Sequence, residues 1–248
     1  MDFPHLPDHH AEVRAKINAA VGRGGHGQAV RIVAVTKTHG PEVVTAAVAA
    51  GLRDVGENKV QEAMAKQDAL TAALDGASDA TGHTGKWEGS AAAGATWHLI
   101  GHLQRNKVKF LDRFSLFHAV DSSRLADAIG EFGVKRGTPV DVLLEVNVSG
   151  EDSKGGFAND ALAREAQRLV GRAGLRVIGV MTMAPFDADE AMLRRVFAGA
   201  RRARDLCVAA GHEAHELSMG MSGDYEVAVE EGATIVRLGT ILFGERTQ

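Results

Sequence analysis

The feature that most constrains this chain is a regular alternation of short β-branched runs with longer amphipathic stretches, from Arg31 to Gly244. Eight short runs are apolar enough to be buried strands, and hydrophobic residues recur at helical spacing between them. Nearly continuous apolar strands that alternate with helices indicate a parallel sheet covered by helices. The predicted strands are residues 31–37, 52–58, 97–102, 116–121, 140–148, 175–183, 215–220 and 234–244.

The number of these units indicates the fold. Eight βα units in about 210 residues predict a (β/α)8 barrel of the TIM type. An open doubly wound sheet is the alternative, because a strand count does not show that the sheet closes. The helical spacing of Val13, Ile17 and Val21 predicts an extra helix before the first strand. Residues 71–96 break the rhythm with Ala, Gly, Ser and Thr, and we interpret them as a flexible surface insertion in a single domain, residues 1–248.

Composition excludes several classes of partner. The net charge of −4, from 28 Lys and Arg against 32 Asp and Glu, gives no general attraction to nucleic acid or to anionic membranes. No stretch is long and apolar enough to span a bilayer. Cys207 is the one cysteine and has no partner for an internal disulfide, and the N-terminal residues lack the features of a secretory signal. We therefore expect a cytoplasmic monomer.

Lys37 closes the first predicted strand, at the end of the barrel where catalytic and binding groups lie. A lysine that continues an apolar run inward is desolvated, which favours the neutral amine and Schiff-base chemistry with a carbonyl. The alternative is a lysine that extends its charged end into water from a strand terminus. The local sequence does not decide between the two.

The loops after strands seven and eight are rich in glycine and small hydroxyl residues. Barrels commonly bind a phosphate there, through backbone amides and hydroxyls. Ordinary turns require the same residue types, but two such clusters on adjacent units favour phosphate binding. The residues concerned are Ser218, Gly220, Ser222, Gly223, Gly239 and Thr240.

Polar residues also lie within or at the ends of the other strands. Arg237 lies inside strand eight, and an arginine there is expected to face a polar centre or to form an ion pair with Glu145 or Glu57. Asn58, His98 and Asn147 end or line strands two, three and five, where each either orients a ligand or is a hydrogen-bonded residue of the core.

Six segments carry a resemblance to a known family. They are VAVTKT, VGENKVQE, WHLIGHLQRNK, VDSSRLA, LLEVNVSGEDSKGGF and LSMGMSGDYEVAVEEGATIVRLGTILFGER. Together they resemble the pyridoxal phosphate homeostasis protein family, in that family's order, over residues 31 to 246. The resemblance implies a single barrel like the N-terminal domain of alanine racemase, with pyridoxal 5′-phosphate at its mouth.

The resemblance also implies roles for particular residues. Lys37 is the expected Schiff-base lysine, Arg237 is expected to approach the pyridine nitrogen, and Asn58 and His98 are expected to line the cofactor. The phosphate-binding segments SMGMS and RLGT contain Ser218, Met219, Ser222, Gly239 and Thr240. No metal ligand and no catalytic residue is expected.

A protein that holds pyridoxal phosphate reversibly can buffer it or deliver it to apoenzymes that depend on it, which is the function the family implies. A racemase of low activity is one alternative, but it needs a second acid or base on the opposite face of the cofactor. The only tyrosine, Tyr225, is a poor candidate for that group. A cofactor-free Schiff-base aldolase is the other alternative, since it shares the lysine and the phosphate site.

Overall fold

Eight parallel strands form the centre of the molecule. The structure is a computed structural model that describes residues 3–77, 94–148, 150 and 155–244. The strands are β1 (Arg31–Val35), β2 (Asp54–Glu57), β3 (Thr96–Leu99), β4 (Leu116–Val120), β5 (Val140–Glu145), β6 (Leu175–Met181), β7 (Glu216–Ser218) and β8 (Ile235–Leu238). Neighbours in the chain pair in parallel, and β8 pairs with β1. The closed order confirms the predicted barrel and rules out the open doubly wound sheet.

Helices follow the strands around the outside of the barrel. They are α1 (Leu6–Gly24), α2 (Glu42–Ala49), α3 (Val60–Ala77), α4 (Ser123–Arg136), α5 (Asn159–Leu169), α6 (Glu190–Ala210), α7 (Tyr225–Glu230) and α8 (Thr240–Phe243), with a 3₁₀ helix, Arg105–Arg113, between β3 and β4. α4 and α6 end at Gly137 and Gly211, whose φ angles of 77° and 113° are left-handed. Glycine adopts this conformation without steric cost, which explains why a glycine follows each of these two helices.

The predicted extra helix is confirmed as α1, which packs against α7 and α8. Val13, Ile17 and Ala20 are buried on its inner face. The Arg14 side chain donates a hydrogen bond to the Val30 carbonyl oxygen at 2.8 Å, and His9 Nδ1 lies 3.0 Å from the Leu242 carbonyl oxygen. The helix is therefore tied both to the chain that enters β1 and to the last helix described.

All eight strands are shorter in the structure than predicted, and β1 and β8 show what takes the place of the missing residues. β1 ends at Val35, so that Lys37 lies in the turn beyond the strand and does not close it. The run 234–244 contains the strand Ile235–Leu238 followed by α8. Leu242 is buried there as a helical residue. Apolar residues that cover the barrel from outside have the same character as those within it, so a continuous apolar run does not mark where the strand ends.

Residues 71–96, the predicted insertion, differ in composition from the rest of the chain, but the first of them are helical. Residues 71–77 are the last turns of α3, because alanine-rich sequence favours helix. Thr96 is the first residue of β3. The intervening residues 78–93 lie outside the described ranges.

The core has one layer inside the barrel and one between the barrel and the helices. Trp97 and Phe117 are fully buried on β3 and β4, where they alternate with His98 and His118. Successive side chains of a strand point to opposite faces of the sheet. Because the two histidines meet inside the barrel, Trp97 and Phe117 face the helices. Apolar packing therefore lies outside these strands and polar packing lies within.

Candidate functional site

A cavity of about 700 Å³ opens at the carboxyl ends of the strands. This volume is typical of small-molecule sites, and the position is the one where parallel barrels place them. Every strand or the loop after it contributes to the wall. The lining residues include Val35 and Lys37 (β1), Asn58 (β2), Ile100 to His102 (β3), Ala119 and Asp121 (β4), Glu145 (β5), Met181, Met183, Pro185 and Phe186 (β6), Met221 to Asp224 (β7), and Arg237, Gly239 and Thr240 (β8).

Lys37 is half-buried in the cavity wall, and the residue after it has an unusual backbone. Thr38 has a φ of 70°, the only positive φ of a non-glycine residue in the described ranges. A β-branched residue in this region is strained. The Glu62 carboxylate accepts a hydrogen bond from the Thr38 N–H, which holds the turn in this conformation and fixes where Lys37 leaves β1.

Behind this turn lies a buried ion pair. Lys66 Nζ is 2.6 Å from Glu57 Oε1 and donates to the Thr36 carbonyl oxygen at 2.7 Å. The Thr36 hydroxyl donates to the same Glu57 oxygen at 2.6 Å. Burial raises the pKa of Glu57, and Lys66 and Thr36 oppose that rise. Glu57, which the sequence analysis considers only as an ion-pair partner of Arg237, therefore supports the strand ends beneath Lys37 through Lys66 and Thr36.

The loops after β7 and β8 present unused donors to the cavity. The backbone N–H groups of Ser222, Gly223 and Thr240 donate no hydrogen bond within the described residues. Gly223 has open space where a Cβ would stand. Met221 N–H is held by Asp224 Oδ1 at 2.6 Å, which shapes the loop. Backbone amides that converge on a pocket favour an anion, so this wall has the chemistry of a phosphate site.

Arg237 is buried beneath the same wall, with 5% of its surface exposed. Its Nη1 donates to Ser218 Oγ at 2.7 Å and its Nη2 donates to the Thr182 carbonyl oxygen at 3.0 Å. Burial lowers the pKa of Arg237 to about 10, which still leaves it protonated at neutral pH. No carboxylate in the described residues reaches ion-pair distance of its guanidinium. The predicted ion pair with Glu145 or Glu57 is therefore not formed.

A chain of hydrogen bonds runs from Arg237 through the inside of the barrel. His118 Nδ1 is 2.9 Å from Ser218 Oγ, His118 Nε2 is 2.9 Å from His98 Nδ1, and His98 Nε2 is 2.9 Å from Asp54 Oδ1. Burial holds the pKa of His118 well below the ordinary value of histidine, so its ring is neutral. A carboxylate only accepts hydrogen bonds. His98 Nε2 therefore donates to Asp54. When His98 Nδ1 accepts from His118 Nε2 and His118 Nδ1 accepts from the Ser218 hydroxyl, every contact has one donor and one acceptor, and each donor points away from Arg237.

Three acidic groups complete the cavity wall. Asp121 Oδ2 lies 2.8 Å from His102 Nδ1 at the exposed edge, while Asp224 is held in the loop after β7. Glu145 is 9% exposed at the end of β5. Burial raises the pKa of both Glu145 and Asp224; nearby Asp121 raises that of Glu145 further, and Arg237 opposes both rises. The cavity therefore combines cationic, hydrogen-bonding and acidic walls.

The structure brings together six of the nine residues predicted to bind a cofactor. These are Lys37, Asn58, Ser222, Arg237, Gly239 and Thr240. Among the described residues that line the cavity, His98, Ser218 and Met219 do not occur. His98 and Ser218 lie deeper, where both ring nitrogens of His98 are hydrogen-bonded and the Ser218 hydroxyl holds Arg237. Met219 is fully buried. The structure therefore places these three residues beneath the cavity wall, and their contact with a cofactor stays a prediction.

Several residues of the cavity were not predicted. Asp121 and Asp224 lie inside the motifs VDSS and SGD, in the turns before α4 and α7, so polar residues between a strand and a helix are the signal that could have found them. Met183, Pro185 and Phe186 form the rim after β6, and nothing in their local sequence marks them. His102 also lines the cavity, and it pairs with Asp121 at the exposed edge.

Other kinds of site receive no support from the described residues. Within the described ranges, no group of three or more His, Cys, Asp or Glu side chains is arranged to hold a metal ion. No described helix combines the length and apolarity that crossing a membrane requires.

The fold and the cavity define a class of protein: a closed parallel barrel with a lysine, a buried arginine and an anion-binding wall at one mouth. The family model described as "Alanine racemase, N-terminal domain" matches residues 10–247. The crystal structure of alanine racemase from Corynebacterium glutamicum superposes with a TM-score of 0.64 at 16% identity, covering 94% of this chain and 61% of that one. At this identity the likeness shows the fold alone.

Closer relatives name the family. A pyridoxal phosphate homeostasis protein of Aquifex aeolicus (strain VF5) is 39% identical over 243 residues, which cover 95% of this chain and 96% of the relative. PipY of Synechococcus elongatus PCC7942, whose structure has PLP bound, is 33% identical with a TM-score of 0.78, covering 96% of this chain and 100% of PipY. The chain therefore belongs to the pyridoxal phosphate homeostasis protein family, which confirms the resemblance.

Proposed function

We propose that this protein binds pyridoxal 5′-phosphate reversibly, as an imine of Lys37, and serves the homeostasis of that cofactor. The observation that carries the proposal is that Lys37, Arg237 and the free N–H groups of Ser222, Gly223 and Thr240 meet at one cavity. The amine matches the aldehyde, the amides match the phosphate and the fixed cation matches the pyridine nitrogen of this molecule. The family relationship supports the same assignment.

Each group has a distinct part in binding. The N–H groups of Ser222, Gly223 and Thr240 bind the phosphate oxygens, together with the hydroxyl groups of Ser222 and Thr240. Arg237 cannot move freely, because Ser218 and Thr182 fix its guanidinium, so it presents a donor at a set place for the pyridine nitrogen. Lys37 supplies the amine. When bound, the cofactor contributes an aldehyde, which primary amines trap reversibly.

The same geometry favours holding over turnover. A pyridine nitrogen that faces an arginine lacks the carboxylate partner that strengthens many pyridoxal phosphate enzymes as electron sinks. We also propose that the recipients of the cofactor are apoenzymes that require it. We further propose that the protein is a monomer and that it acts in the cytoplasm. Size-exclusion chromatography with light scattering tests the monomeric state.

The cofactor assignment is tested by the visible absorption of the protein after incubation with pyridoxal phosphate. We expect an absorption band that is lost in Lys37→Ala and in Lys37→Arg, since arginine keeps the charge but forms no stable imine. Lys135→Ala, an exposed lysine on α4, is the control and retains the band. A wild-type protein that stays colourless contradicts the proposal.

The two alternative activities have their own products. A racemase exchanges the Cα proton of an amino acid for deuterium faster than free cofactor does. A cofactor-free aldolase gives a sugar adduct when trapped with borohydride, whereas the proposed protein gives a pyridoxyl adduct on Lys37. Intact mass and peptide mapping distinguish these results.

A further inference from the structure

Glu145 is a buried carboxylate that has no partner among the described residues. It lies at the end of β5 with only 9% of its surface exposed, and it forms part of the cavity wall. Within the described ranges no residue donates a hydrogen bond to it or reaches ion-pair distance. Polar groups buried in proteins are nearly always hydrogen-bonded, and an unpaired buried charge is costly. A carboxylate kept in this position therefore indicates a ligand that supplies the donor.

Arg237 is not that donor. Its guanidinium contacts Ser218 and Thr182, and Glu145 acts on it only at longer range. Asp121, an acidic neighbour that follows β4, is already paired with His102. The missing partner must carry a positive charge or several N–H donors, because an ionised carboxylate only accepts hydrogen bonds.

The position of Glu145 separates it from the groups assigned to pyridoxal phosphate. In the closed strand order β5 is opposite β1, so Glu145 and Lys37 lie on facing walls. The proposed phosphate-binding groups follow β7 and β8, next to β1. The wall from β4 to β6 is acidic at Asp121 and Glu145 and apolar at Met181, Met183 and Phe186. An acidic group beside an apolar wall matches an ammonium group attached to an aliphatic chain.

The rim on this side is also apolar and open. Met183 is 41% exposed and Phe186 is fully exposed in the loop after β6. Large exposed apolar residues beside a cavity often contact a ligand, and the methionine side chain adapts to ligands of different shape. An aliphatic chain whose ammonium reaches Glu145 would pass along this rim.

We propose that the cavity contains a second subsite, which binds the primary ammonium group of a molecule with an aliphatic chain and uses Glu145 as its counter-ion. The purpose of this subsite rests on the proposed function, because primary amines are the compounds that compete with a lysine for an aldehyde cofactor. The chemistry is shared by free amines and by the lysine side chain of a polypeptide.

Ligand-observed NMR titration of the unloaded protein tests the subsite with pentylamine, 1-pentanol and pentanoate. These probes have the same chain and differ in charge. We expect pentylamine to bind at least tenfold more tightly than pentanol, because hydrogen bonds to charged groups contribute about 1.5–3 kcal/mol. Pentanoate should bind least tightly at the Glu145 wall. Equal affinity for pentylamine and pentanol, or no binding of pentylamine, would overturn the proposal.

A matched pair of variants assigns the charge. Glu145→Gln keeps the volume and removes the charge, and we expect pentylamine to bind about 10- to 100-fold more weakly while pentanol is unaffected. Glu131→Gln, exposed on α4, should bind pentylamine like the wild type. Unchanged pentylamine affinity in Glu145→Gln contradicts the assignment. The comparison of the three probes on wild-type protein needs no variant. It therefore shows whether the cavity prefers an ammonium group even if Glu145→Gln fails to fold.

A short blocked peptide, acetyl-Ala-Lys-Ala-amide, separates the two sources of the ammonium group. Competition with pentylamine extends the subsite to lysine side chains of polypeptides, and exclusion of the peptide restricts it to free amines; both results support the subsite. Because these titrations use protein without cofactor, their failure is independent of the absorption experiment with Lys37→Ala.

Discussion

Glu57 and Lys66 form an ion pair that is almost completely buried behind Lys37. Such a pair adds little stability compared with apolar residues, but removal of one partner leaves a buried charge uncompensated. The second carboxylate oxygen of Glu57 already has no hydrogen-bond partner in the described residues. The local structure under Lys37 therefore depends on Lys66.

We predict that Lys66→Met lowers the free energy of unfolding by about 3–5 kcal/mol, because the Glu57 carboxylate then stays buried without its cation. The double variant Glu57→Gln, Lys66→Met should regain most of this loss. Lys16→Met, which breaks the exposed pair with Glu12, serves as the control and should change stability by about 0.5 kcal/mol or less. Urea unfolding measures all three. A double variant no more stable than Lys66→Met would contradict the explanation.

Glu145 gives a prediction with a defined pH dependence. Its pKa in the folded protein is raised above the ordinary 4.5, so the folded state binds a proton in a pH range where the unfolded chain has lost it. The contribution of Glu145 to the free energy of unfolding therefore falls as the pH rises from 4.5 through the raised pKa. Asp121, His102 and Arg237 are the charged or titratable groups that act on it.

Glutamine at this position cannot ionise, so Glu145→Gln should be more stable than the wild type at neutral pH. The difference should shrink as the pH falls to 4.5, where both are uncharged at this site. Melting temperatures across this range measure it, with Glu131→Gln as the exposed control. A gain of equal size at both ends of the range would show that the buried charge is not the cause.

At the scale of elements, the hydrogen-bonded chain inside the barrel joins five strands. Asp54, His98, His118, Ser218 and Arg237 come from β2, β3, β4, β7 and β8. Strand pairing fixes neighbours around the barrel, whereas the contact of His118 with Ser218 crosses its interior. These hydrogen bonds therefore connect the position of Arg237 to strands on the opposite side of the barrel.

Ser218→Ala removes the acceptor of Arg237 and the donor to His118 in one substitution. We predict a loss of about 1–3 kcal/mol in stability, because two buried polar groups lose partners. Ser115→Ala, at an exposed position, should stay within about 0.5 kcal/mol of the wild type. In the wild type, ¹⁵N spectra should show both imidazoles protonated at Nε2. Protonation of His118 at Nδ1 would contradict the direction of donors derived above.

At the scale of the whole molecule, closure of the barrel between β1 and β8 brings the two ends of the described chain together. α1 then packs on α7 and α8, and Arg23 reaches Glu230 at 2.5 Å. Ile17 is 1% exposed in this contact. The extra helix therefore belongs to the same cooperative unit as the barrel.

We predict that Ile17→Ala lowers the free energy of unfolding by about 2–5 kcal/mol, with a single transition, because it leaves a cavity between α1 and the barrel. Val134→Ala, which is 58% exposed on α4, is the matched control and should change stability by about 0.5 kcal/mol or less. Chemical unfolding followed by circular dichroism measures both. Two separate transitions in Ile17→Ala would show that α1 unfolds independently.

Much of the site could be predicted from sequence because strand ends in a parallel barrel meet at one mouth. Lys37, Asn58, Ser222, Arg237, Gly239 and Thr240 all follow a strand or lie near its end, so their positions in the chain indicate their place. His98 and Ser218 are also near strand ends, but they lie below the cavity wall. A shift of one or two residues along a strand moves a side chain below the cavity wall. The hydrophobic periodicity of a sequence does not show how far below the wall a residue lies.

The sequence by itself determined the eight βα units, the extra helix and the family, because these depend on local periodicity, helix-ending glycines and long motifs. Only the tertiary structure decided that the sheet closes and that Arg237 contacts Ser218 and Thr182. It also decided that Glu145 lies across the mouth from Lys37 with no partner in the described part of the chain. Each of these depends on which residues, distant in the chain, share a space after folding. Hydrogen bonds and burial are properties of that shared space, so the composition and spacing of residues do not contain them.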